Sequence, residues 1–68
     1  MDVNKVTVKL GRDYYNGYYW IEPAKNGNND IYISYEGIRK KQKIKKTEPD
    51  TVVRKLAEQM LTVLLNDL

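Results

Sequence analysis

Between residues 5 and 10 the chain alternates strictly. Val6, Val8 and Leu10 fall on one side of an extended backbone, and Lys5, Thr7 and Lys9 on the other. A period of two built on β-branched residues predicts a half-buried strand over residues 3–10. Gly11-Arg12-Asp13 breaks the alternation, and Asn16-Gly17 is a strong hairpin-turn dipeptide. The second strand is therefore expected at Tyr18–Glu22, ended by Pro23, which has no N–H for a continuing ladder. Asn26–Asp30 reads as a polar loop.

Alternation resumes at Ile31. Ile31, Ile33 and Tyr35 share one face of a third strand, and Tyr32 and Ser34 the other. Glu36-Gly37 predicts a tight hairpin turn, since Gly supplies a positive φ without steric cost. A fourth strand over residues 38–46 would place Ile38, Lys40, Gln42 and Ile44 on one face and Arg39, Lys41, Lys43 and Lys45 on the other. Read as a helix, this segment has no apolar face of useful width.

Thr47-Glu48-Pro49-Asp50 is a helix start, with Thr47 as the cap and Asp50 three residues on, as in a capping box. The helix runs from about 49 to 66. Its central apolar stripe is Val53, Leu56, Ala57, Met60 and Leu64, widened on one side by Val52 and Val63. Leu61, Leu65 and Leu68 widen it on the other side, about 80–140° around the helix from Met60 at 100° per residue.

Short connections favour antiparallel neighbours. The fold class is thus α+β: a three- or four-stranded antiparallel sheet packed against one C-terminal helix. Residues 1–68 form a single small domain, with the sheet over about 3–46. Val6, Val8, Ile21, Ile33, Leu56, Met60 and Leu64 are the expected core. One short sheet can hardly also cover Leu61, Leu65 and Leu68, so these three are expected to form the interface of a homodimer.

Charge changes this picture more by its placement than by its total. Twelve Lys and Arg face nine Asp and Glu, for a net charge of +3. Residues 39–46 carry six of the cations and no acid, so the rest of the chain is mildly acidic. Such a stripe suits an anionic partner. Alternate residues of a strand are about 6.7 Å apart, which would set Arg39, Lys41, Lys43 and Lys45 in a row able to contact successive phosphates. The same lysines also read as protection of a solvated edge strand.

The aromatic residues are six Tyr and one Trp, with no Phe. If Ile21 and Ile33 face the helix, then Tyr18, Trp20 and Tyr32 face away from it, forming an aromatic platform beside the basic strand. Against this, a small domain needs the area of an indole in its core, and that need favours burial of Trp20.

The chain has no Cys and no His, and Ser34 is its only serine. Disulfides, thiolate nucleophiles, imidazole bases and the usual zinc ligands are excluded together. Asn28, Asn29 and Asp30 offer oxygen ligands without the spacing of a calcium loop. No catalytic residue, cofactor or metal is expected, and the chain reads as a non-enzyme. No signal-peptide pattern or apolar run of membrane-spanning length occurs, so no membrane partner is expected and a cytoplasmic location is.

The run Tyr32-Ile33-Ser34-Tyr35-Glu36-Gly37-Ile38-Arg39-Lys40-Lys41-Gln42-Lys43-Ile44, followed by Thr47 and a helix from about Pro49, resembles the second half of the N-terminal arm-binding domains of tyrosine integrases. The likeness covers roughly residues 18–60, with Trp20 where that family often has an aromatic strand. It implies a three-stranded sheet with a C-terminal helix, the sheet entering the DNA major groove. Those enzymes continue into further domains where this sequence stops, so the resemblance brings no catalysis.

These readings converge on a small non-enzymatic accessory protein of phage or mobile-element type that binds nucleic acid, DNA rather than RNA. Arg39, Lys41, Lys43 and Lys45 would meet phosphates, and Tyr18, Trp20 and Tyr32 bases or sugars. The alternative is an interaction module or inhibitor that docks an acidic protein, with no nucleic acid involved.

Overall fold

A computed structural model describes residues 2–68. It contains strands β1 (Asn4–Leu10), β2 (Asp13–Pro23), β3 (Asn28–Tyr35) and β4 (Ile38–Lys45), then helix α1 (Asp50–Asn66). The strands form one antiparallel meander in the order β1-β2-β3-β4, and α1 packs across one face. The fold is α+β, with two layers.

The β3–β4 hairpin turns at Glu36-Gly37, where both residues have positive φ, 49° and 81°. That pattern is a type I′ turn, whose twist matches the strands it joins. It sets Tyr35 opposite Ile38 and Tyr32 opposite Lys41.

The β1–β2 hairpin turns at Gly11-Arg12, not at Asn16-Gly17. Asn16 and Gly17 lie inside β2, opposite Thr7 and Val6. A turn at residues 16–17 would fold residues 11–15 onto 18–22 and leave Val6 and Val8 without a partner strand. The earlier turn pairs the whole of β1 instead, so β2 spans eleven residues rather than the five expected. The expected loop at Asn26–Asp30 is also shorter. A single 3-10 turn at Lys25–Gly27 suffices, and Asn28, Asn29 and Asp30 already belong to β3. These three are held in the strand because β3 is central: Asn29 pairs with Pro23 on one side and Asn28 with Lys45 on the other.

Thr47 does not cap the helix. Pro49 is the N-cap residue, extended at ψ 155°, and no side-chain cap bond forms. A turn closed by Glu48 N–H donating to Lys45 C=O holds Thr47 two residues before the cap. From there its hydroxyl cannot serve the first helical N–H groups. The Pro49 carbonyl accepts from Val52 and Val53.

The core lies between α1 and the sheet. Val6, Tyr19, Ile31, Ile33, Ala57, Met60, Leu61 and Leu64 are buried. Of the residues expected there, Val8, Ile21 and Leu56 are half-buried at its margin. The fully buried Leu61, at 0% exposure, overturns its assignment to a dimer interface. Leu65 is half-buried against the same core, and of the three leucines Leu68 alone is exposed.

Gly17 explains the difference. Where α1 crosses the sheet, a Cβ on Gly17 would lie 3.1 and 3.2 Å from the two Leu61 Cδ atoms and 3.0 Å from the Ser34 carbonyl oxygen. The missing side chain makes a shallow seat in the sheet, and Leu61 occupies it. The helix is thereby rolled so that its buried stripe is centred about 50° from Met60 toward Leu61, at 100° per residue. The apolar surplus appears on the opposite flank, where Val52 and Val63 are 45% and 60% exposed.

Replacing Gly17 by valine should force Leu61 out of its seat and lower stability by about 1–3 kcal/mol. Leu61→Ala alone should cost about 2–5 kcal/mol. Urea melts of the two variants and their combination check this. The double variant should be more stable than the sum of the single losses predicts, because alanine leaves room for the valine.

Candidate nucleic-acid interface

Strand register decides what faces away from the helix. Opposed residues of antiparallel strands share a face. With Val6 and Gly17 beneath α1, Lys5 lies opposite Tyr18 on the open face, and Lys9 opposite Tyr14. The same face continues with Trp20 opposite Tyr32, Tyr18 opposite Ser34, and Glu22 opposite Asp30. On β4 it ends with Arg39, Lys41, Lys43 and Lys45, opposite Ser34, Tyr32, Asp30 and Asn28.

Trp20 therefore lies on the open face and not in the core. Tyr19 supplies the buried aromatic area instead, at 8% exposure. The indole stacks on the Tyr32 ring, with centroids 5.4 Å apart and planes within 3°. Its N–H donates to a Glu22 carboxylate oxygen at 2.9 Å. The Arg39 guanidinium lies 5.6 Å from the Trp20 ring centroid. Arg39 is on β4 and Trp20 on β2, with Ser34 of β3 between them. A serine is small enough for the arginine to reach across it. Arg39 thus contributes to the aromatic cluster as well as to the cationic row.

Tyr18, 49% exposed, extends the cluster toward β1, and Tyr14 lies beneath Lys9, whose Nζ is 5.7 Å from the ring centroid. Asn16 is occupied locally, accepting a hydrogen bond from the Thr7 hydroxyl at 2.6 Å. The layout is an aromatic strip between two basic margins. The β4 cations run over about 20 Å and the β1 lysines lie about 14 Å across the sheet from them, at the usual strand dimensions. Six cations face two carboxylates, Glu22 and Asp30, which sit together at one end.

All seven residues expected to contact nucleic acid are thus on one face: Arg39, Lys41, Lys43, Lys45, Tyr18, Trp20 and Tyr32. Lys5, Lys9 and Tyr14 were not singled out as site residues. The alternation of β1 marked which way its lysines point, but their nearness to the aromatics depends on the Gly11-Arg12 turn.

Compared with known proteins, the chain matches no family model, no curated protein and no solved structure. The face is therefore read from its own chemistry. Among the described residues no cluster of three or more acidic side chains could hold a metal ion. Among the described residues, no helix is long and apolar enough to cross a membrane.

Arg39→Ala should remove one cover of the indole while leaving the core intact. Stability should fall by no more than about 1 kcal/mol. Acrylamide quenching should rise, a clean readout because Trp20 is the only tryptophan.

Proposed function

We propose that this protein binds DNA through the open face of its sheet, as a non-enzymatic accessory protein. The observation that carries the reading is the Trp20–Tyr32 stack set between two cationic strands. Phosphates meet Lys41, Lys43 and Lys45 along β4, with Lys5 and Lys9 on the far margin. Tyr18, Trp20 and Tyr32 offer apolar contact to sugars or base edges, and Arg39, which covers the indole, joins the two groups. Phosphate contacts position the ligand and supply salt-dependent affinity. The aromatic strip adds apolar contact with sugars and groove-exposed base edges, because the bases of a duplex are already stacked on one another.

DNA is favoured over RNA on groove shape. The B-form major groove is about 12 Å wide and admits a two-stranded ribbon, such as the β3–β4 hairpin with its basic outer strand. The major groove of A-form RNA is too deep and narrow for this. The resemblance to integrase arm-binding domains points the same way, since their sheets enter the major groove.

Anisotropy of labelled duplex DNA, single-stranded DNA and duplex RNA at two salt concentrations tests the proposal. Duplex DNA should bind most tightly, and log affinity should fall with log salt by about 0.9 per phosphate contacted. Changing Lys41, Lys43 and Lys45 together to Glu should lower affinity at least tenfold with an unchanged melting temperature. Failure of the wild-type protein to bind any of these at low salt would sink the reading.

A further inference from the structure

The open face leaves a second surface unused. β4 is an edge strand: β3 pairs with one side of it, and no strand among the described residues pairs with the other. Every second N–H and C=O along that edge therefore points away from the sheet. On the helix side, two adjoining hollows of about 410 and 340 Å³ lie between β4 and α1 and share Leu56 and Gln59 as a common wall. Val52, Leu56, Gln59 and Val63, spaced four, three and four residues apart, form one seam of the helix along them. This is the flank left uncovered when Leu61 settled on Gly17. The rim is cationic, with Lys40, Lys41, Lys43, Lys45 and Lys55 against Glu48 and Asp67.

We infer that the β4 edge and the α1 seam together bind an extended acidic segment of a partner protein, added to the sheet as a fifth strand. Main-chain hydrogen bonds to a free edge supply affinity without regard to sequence, and side chains choose the partner. An added strand presents alternate residues to the two faces of the sheet. On the helix side they meet the seam of Val52, Leu56 and Val63, which calls for apolar residues. On the open side they meet the row Arg39, Lys41, Lys43 and Lys45, which calls for carboxylates. The matching segment therefore alternates apolar and acidic residues.

Charge also argues against a second copy of this chain as the occupant. Two β4 strands paired edge to edge would set lysine against lysine, and like charges directly opposed destabilise a ladder. The same lysines that deter self-pairing select an acidic strand.

The probe is a ten-residue capped peptide alternating glutamate and valine, with a control carrying lysine in place of glutamate. Titration into isotopically labelled protein should shift the amides of Ile38–Lys45 and of Val52, Leu56 and Val63, and the lysine control should shift none of them. Changing Val52 and Val63 together to serine should weaken peptide binding at least tenfold and leave DNA affinity within twofold. Trp20→Ala should do the reverse, so the two surfaces stand or fall separately. The inference is overturned if the glutamate peptide does not bind, or if it shifts open-face amides around Trp20 while the β4 edge and the seam stay still. It is also overturned if sedimentation shows a dimer whose formation, without peptide, shifts the β4 edge.

Discussion

The Leu61 side chain rests on the bare backbone of Gly17, and the placement of the rest of the helix follows from that contact. A β-strand with a side chain at every position would hold a helix at the usual stand-off. Here one missing Cβ lets a leucine descend onto the backbone of β2, and it joins the buried cluster that includes Val6 and Ile33. Once Leu61 is seated, the roll of α1 is set. Ala57, Met60 and Leu64 go inward with it, and Val52 and Val63 turn outward. The core is small, so few other contacts could resist that choice.

The roll and the register together divide the surface by chemistry. The sheet face away from α1 gathers aromatic rings and cations, including an indole stacked on a phenol and covered by a guanidinium. The β4 edge gathers unpaired backbone, an apolar seam and the helix-side lysines. Lys41, Lys43 and Lys45 border both regions, because an edge strand is shared between a face and a margin. An anionic polymer on one side and an acidic strand on the other would draw on the same three charges. Simultaneous occupation would therefore be weaker than either alone, since each ligand screens the cations from the other.

The elements that were legible in the sequence are those governed by neighbours along the chain. Alternation at 5–10 and 31–35 marked β1 and β3, Glu36-Gly37 marked its turn, and the apolar period after residue 50 marked α1. The row Arg39, Lys41, Lys43 and Lys45 was legible for the same reason, since period two assigns a face to each residue of a strand. Where two local signals competed, local reasoning failed. Asn16-Gly17 is the stronger turn dipeptide, yet Gly11-Arg12 turns the chain, because only that choice gives Val6 and Val8 a partner strand. The buried position of Tyr19 in place of Trp20 follows from the same register.

The sequence by itself determined an α+β meander with a terminal helix, a cationic fourth strand and the absence of histidine and cysteine chemistry. These depend on residue type and on spacings of two or three to four residues, which act within a few residues of chain. Tertiary structure alone decided that Asn16-Gly17 lies within a strand, that Trp20 meets Tyr32 and Arg39 in the open, and that Leu61 is core while Val63 is not. Each of these joins residues at least seven apart in the sequence or sets the helix's angle on the sheet. Such contacts are chosen by which arrangement buries the most apolar area without overlap, a condition the whole fold satisfies at once.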